Sequence, residues 1–252
     1  MAAARSGLSA AELLEVVDAG SDGTYADRGR IMLAAAAPGL DEPSLDVLSL
    51  GARDAWIVAL RCGTLGETLL SRVTCPSCGM LLTVRVPRAH VGLVAPSADV
   101  VPPVSVRVVD GEWEVEARAP DGAALADAAA CFDVELARMS LVRSCLVSAS
   151  CSGEVVDPLA VPDDVLFAVG EAIVEADPMT EVRVPMACAS CGLEWQPVLD
   201  IVVFAWRELS LASEQLLDEV HQLAVGYGWT EAQVLELSSR RRRRYVERLT
   251  DG

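Results

Sequence analysis

The chain has 252 residues, of which 52 % are hydrophobic, and a formal net charge of −17. Its mean hydropathy is +0.35. Such a composition excludes a disordered chain, and such a charge opposes binding to nucleic acid or anionic membrane except through a local basic patch. The high hydropathy has two readings: apolar surface covered by partners, or an Ala/Val-rich bias.

Every cation is Arg, and neither Lys nor Asn occurs. The lack of Asn excludes Asn-linked glycosylation. The opening MAAARSGLSAAELLEVVDAG is interrupted by Glu12, Glu15 and Asp18 and does not read as a signal peptide. No apolar run approaches the ~20 residues of a membrane span. The expectation is a cytoplasmic protein with reduced thiols, in which paired cysteines bind metal more often than they form disulfides.

In chain order, Ser9 caps a first helix over 10–19, and a second ends near Pro38-Gly39. A third is expected from Ser49 to Arg61, with Trp56, Ile57 and Leu60 on one side and Gly63 as its stop. A strand-flanked CPSCG turn follows, giving a hairpin over 71–87. Asp110-Gly111, between two alternating runs, predicts a second hairpin. Residues 121–148 read as helical, with Val134, Met139, Leu141, Val142 and Cys145 on an apolar side. After a Ser/Gly/Pro loop, Pro162 opens a helix that closes before Pro178. CASCG at 188–192 repeats the cysteine turn in a hairpin over 182–201.

The tail is helical. Leu209, Leu216, Leu217, Val220, Leu223 and Ala224 share one face. Thr230 and Gln233 form a capping box, and a last helix runs from Ser238 or Ser239 through the arginines.

In a CxxCG turn the backbone points two thiolates at one spot, and the Gly accepts the positive φ that such turns need. Two turns complete a tetrahedral four-sulfur shell for zinc. Cys75, Cys78, Cys188 and Cys191 are therefore candidate ligands of one structural zinc, shared between the halves of a split ribbon. Separate redox turns or reversible disulfides are the competing readings. The fold class is α+β, mostly helical, with that ribbon and an inserted β-hairpin plus helices. The expected organisation is a helical region at 1–70, ribbon halves at 71–87 and 182–201, an insertion at 88–181, and a helical region at 202–252.

Nothing predicts catalysis. The two histidines, His90 and His221, sit in a loop and on a polar helix flank, and there is no P-loop, nucleophile elbow or dinucleotide fingerprint. Cys62, Cys131, Cys145 and Cys151 have no assigned role, although Cys145 fits an apolar helix face. The run Arg240, Arg241, Arg242, Arg243 and Arg244 has three readings. It pairs with the chain's own acids, docks an acidic partner, or binds phosphate or nucleic acid.

Family resemblance extends this. LSLGARDAWIVALRCGTLGETLLSRVTCPSCG, then EADP, ACASCGLEWQPVLDIVVFAWREL and EVHQLAVGYGWTEAQVLELSSRRRRRYVERL, resemble the baseplate hub assembly chaperone family of T-even-type contractile-tailed phages. The resemblance is nearest to relatives found among genes for phage-like contractile injection systems. It spans roughly 40–249, with 88–160 matching only in layout. It marks Arg53 and Asp54 of the GxRD motif, the four knuckle cysteines, Tyr227, Gly228, Trp229, Glu231, and the Arg run with Tyr245. CASCG lacks the Pro of the usual turn, and Ser239 stands where relatives often carry Pro.

The resemblance implies a non-enzymatic assembly factor or structural component of a contractile particle. Its partners would be baseplate, hub or tail-tube proteins, with no nucleic acid and no membrane. Trp206, Tyr227, Trp229, the five arginines and Tyr245 are the candidate partner surface; Trp206 reads equally as a core aromatic. The alternative is a zinc-ribbon regulator or nucleic-acid binder.

Overall fold

The computed structural model describes residues 7–87 and 105–250. His90 lies outside them.

Capping boxes start the first two helices: Ser9 with Glu12 opens α1 (Ala10–Gly20), and Thr24 with Asp27 opens α2 (Tyr25–Ala36). A short α3 (Glu42–Asp46) leads to α4 (Leu50–Leu65), capped by Ser49. Gly63 does not end α4. The helix runs two residues further and stops at Gly66, whose φ of 100° suits only glycine. The hairpin of β1 (Thr68–Thr74) and β2 (Leu81–Pro87) follows, with Thr74 opposite Leu81 across the first cysteine turn.

The next unit is a four-stranded antiparallel sheet in the order β3 (Ser105–Asp110), β4 (Trp113–Arg118), β5 (Leu146–Cys151) and β6 (Glu154–Val156). Two helices, α5 (Gly122–Ala129) and α6 (Val134–Ser144), cross between β4 and β5. α7 (Asp163–Ala176) covers one sheet face, burying Val165, Leu166, Val169 and Ile173 against Val115, Ala117 and Ala149.

The helical reading of 121–148 is corrected at its end. Helix breaks at 130–133, and 146–148 belong to β5, because LVSASC satisfies its backbone groups by pairing with β4. Ser152 and Gly153, both at positive φ, make the two-residue turn into β6 where a loop was expected. Val134, placed on the apolar side of α6, is 79 % exposed.

After a single helical turn at Pro178–Thr180, the second cysteine hairpin is short. β7 (Met186–Ala187) pairs with β8 (Glu194–Trp195), extended by a bridge between Arg183 and Val198. α8 (Ile201–Tyr227) then spans 27 residues, from the Asp200 cap to a left-handed Gly228. α9 (Glu231–Leu235) and α10 (Ser239–Thr250) fold back toward it.

The main core joins α1, α2, α4 and α8 through Leu13, Met32, Ile57, Val58, Ile201, Ala205 and Leu209. Leu216, Val220 and Leu223 of α8 are buried as its periodicity predicts, whereas Leu217 is 41 % exposed. No helix of the described residues is long and apolar enough to cross a membrane. The architecture is α+β and predominantly helical.

Candidate metal centre and partner surface

The two cysteine turns have the same backbone. In the first, the Cys75 N–H donates to Met80 O and the Gly79 N–H to Cys75 O; in the second, Cys188 donates to Leu193 O and Gly192 to Cys188 O. Gly79 and Gly192 have φ of 72° and 75°, which explains a glycine after each second cysteine.

The turns face one another, with 110 residues separating Cys78 from Cys188. Cys75 Sγ lies 3.7 Å from Cys191 Sγ, and Cys78 Sγ lies 3.6 Å from Cys188 Sγ. All four sulfurs fall within 4.8 Å of one another. Bonds of ~2.3 Å to a tetrahedral zinc place sulfurs ~3.8 Å apart, so the set fits that ion by donor type and by spacing. The separations are far beyond the ~2.05 Å of a disulfide, and all four cysteines are free thiols. Cys75 and Cys188 are buried while Cys78 and Cys191 face solvent.

Backbone N–H groups of Cys191 and Ser190 aim at Cys188 and hold its thiol down at about 6. The Met80 N–H favours the Cys78 thiolate in the same way. Desolvation and the neighbouring sulfurs of Cys188, Cys191 and Cys75 outweigh it and push Cys78 up to about 11. A dication bound among the four sulfurs would offset the mutual repulsion of thiolates held this close.

The helical core anchors this centre. Leu69 of β1 packs on Phe204 of α8, with Val84, Val184 and Leu199 around them. Beside them the Arg61 guanidinium, 3 % exposed, binds Glu208 at 2.5 Å, donates to Gly66 O and Thr68 O, and lies over the Phe204 ring. One buried cation thus fixes the exit of α4, the start of β1 and the first turns of α8. Sequence reading missed Arg61 and Glu208, since an Arg and a Glu 147 residues apart carry no joint signal.

The GxRD motif opens α4. Gly51 faces the carboxylate of Asp177, the acid of EADP, and Ser49 Oγ donates to that carboxylate at 2.7 Å. Arg53 and Asp54 pair at 2.7 Å. Burial raises the Asp54 carboxyl to about 6, against the opposing pull of Arg53, and Asp200 and Asp177 add to the rise. Tyr25, beside Arg53, is raised mainly by burial. This network borders a cleft of about 330 Å³ between α4 and the α6–α7 pair. The motif residues thus build a joint between the start of α4 and the end of α7.

The predicted partner residues divide. Trp206 is 9 % exposed, lies in the main core and carries the Arg28 guanidinium over its ring, which removes it from the surface. Tyr227, Trp229 and Tyr245 meet one another: Tyr227 stacks on Trp229 at 4.9 Å, and Tyr245 meets both edge-on at 5.7 and 4.9 Å. Of the five arginines, Arg242 is buried, bonded to Glu219 at 2.7 Å and to Leu237 O. Arg243 approaches the same Glu219 at 3.9 Å. Arg240, Arg241 and Arg244 are exposed. His221 is exposed on α8.

A family model described as T4 bacteriophage base plate protein matches residues 39–203. No curated protein and no solved structure shows a significant match to the chain. The matched span begins just before the GxRD helix and includes both cysteine turns, EADP and the start of α8.

Proposed function

The chain belongs to the T4 bacteriophage base plate protein family, and from that premise we propose that it assembles, or forms part of, the baseplate hub of a phage-like contractile injection system. The family match across 39–203 carries this reading. In it the protein acts in the cytoplasm through surfaces rather than chemistry, and its partners are baseplate, hub or tail-tube proteins.

The four thiolates would hold one structural zinc. Four sulfurs leave no open coordination position, so the ion would supply charge neutralisation and a crosslink, not a reactive water. The segments 71–87 and 182–201 then act as one ribbon, and 88–181 is an insertion between its halves. Closing a loop of that length by a metal restricts the unfolded chain, as a long crosslink does. The exposed part of the aromatic and arginine cluster at the end of the chain is the proposed partner surface.

The deciding experiment is mass spectrometry on tail-like particles purified from the source cell and from a deletion strain. Stoichiometric presence makes the chain a structural component. Absence from the wild-type particle, with no complete particles in the deletion strain, makes it an assembly chaperone that leaves. Absence with normal particles in the deletion strain overturns the reading in favour of a zinc-ribbon regulator.

A further inference from the structure

One side of α10 is fixed. Tyr245, Val246 and Leu249 pack against the main core, Arg242 is held by Glu219, and Leu249 sits against Gly226, where a β-carbon would meet it at 2.4 Å. The opposite side is an arginine stripe. Arg240, Arg244 and Arg248 recur every fourth residue with Arg241 beside them, and all four are exposed. Arg248 is braced by Arg244 O and by the Tyr245 ring. Among the described residues, no ion pair engages the side chains of Arg240, Arg241 or Arg244.

Two of these cations stand in the first turn of the helix, where the dipole disfavours positive charge. A partner anion would relieve that cost. Residues four apart on a helix are separated by ~6 Å along its axis, so a partner helix with carboxylates at the same interval meets the stripe in register. The stripe is also local, because the exposed Glu247 stands beside it on the same helix and the whole chain carries a net charge of −17. Screening within ~8 Å at physiological salt lets so local a patch act against the global charge at short range, but a polyphosphate duplex would reach beyond it over a strongly acidic chain.

We infer that the Arg240–Arg244–Arg248 stripe docks an acidic helical segment of a partner protein, with carboxylates spaced one turn apart. The identity of that partner as a baseplate subunit rests on the proposed function; the chemistry of the stripe does not.

The test titrates the full chain with a labelled Ala-based helical peptide bearing Glu at every fourth position. The comparisons are a peptide of equal composition with its glutamates scrambled off one face, and a short duplex DNA. Binding to the in-register peptide should weaken as salt rises, and should fall about tenfold or more in R240E/R241E/R244E. Circular dichroism checks that the variant folds, and Arg244→Glu alone serves if the triple variant does not. Equal binding by native protein and variant, equal binding of the scrambled peptide, or tighter binding of the duplex overturns the inference. Because the titration is done without particles, it can fail while the particle experiment succeeds, and the reverse.

Discussion

Gly51 and Asp177, 126 residues apart in sequence, share one packing site: a methyl group on the Gly51 α-carbon would lie 2.0 Å from Asp177 Oδ1. Asp177 is 8 % exposed, and Ser49, the cap of α4, donates to its other oxygen. The carboxylate therefore sits at the amino end of α4, where the helix dipole favours an anion. Gly51→Ala is expected to cost about 3 kcal/mol by overpacking. Asp177→Ala should cost less in that background than alone, since it vacates the space the methyl needs. Denaturant unfolding of the four-member cycle checks this, and strict additivity would show that the two residues do not compete.

The cysteine centre makes a compositional prediction. Purified protein should contain about one zinc per chain, and Cys188→Ser should lose it together with much of the cooperative unfolding transition. Elemental analysis beside thermal melts reads both. A metal-free native protein, or a Cys188→Ser chain that melts like the wild type, removes the staple.

Asp54 predicts a pH dependence. Its carboxyl lies at about 6 in the fold against 3.8 ordinarily, chiefly because it is buried. A raised carboxyl binds its proton more tightly in the native state, so its contribution is full below about pH 4 and is lost as pH rises through 6. Asp54→Asn keeps the uncharged form at every pH. The stability of native protein relative to this variant should therefore fall by about 2 kcal/mol between pH 4 and pH 7. A flat difference across that window would mean that Arg53 keeps Asp54 ionised throughout.

Glu208→Ala removes the carboxylate opposite a buried guanidinium. Loss of one partner from such a pair typically costs about 3–5 kcal/mol. The structure predicts where the loss is felt: amide exchange in β1 should rise first, because Arg61 also holds Gly66 O and Thr68 O. Uniform destabilisation without a local rise in β1 would assign Arg61 to bulk packing.

Tyr245→Ala breaks both ring contacts that tie α10 to Tyr227 at the end of α8 and to Trp229 just after it, at about 2 kcal/mol. Hydrogen exchange over 239–250 should increase while the main core stays protected. Unchanged protection of α10 would leave Arg242 and Leu249 as its anchors.

Local rules made most elements readable. Ser9, Thr24 and Thr230 announce helix starts because a capping box needs only four consecutive residues. The cysteine turns were equally legible, since chemistry and φ are both written into CxxCG. Misreadings arose where a neighbour in space outvoted the local pattern. LVSASC continues an apolar helix face in sequence, yet β4 supplies the hydrogen bonds that make it a strand. Gly63 looks like a helix stop, yet α4 persists to Gly66.

The sequence by itself determined that this chain is acidic and predominantly helical, with two like turns of two thiols each and an arginine-rich last helix. Composition, periodicity and short motifs act over a few residues, and nothing distant is needed to state them. Only the tertiary structure decided which groups meet. It brought Cys75 beside Cys191 and Cys78 beside Cys188, set Asp177 against Gly51, and paired Arg61 with Glu208. It also divided the arginines into one buried by Glu219 and a stripe left to solvent, and placed Trp206 in the core. Whether an aromatic or a cation is anchor or surface depends on what covers it, and that cover comes from chain tens to hundreds of residues away.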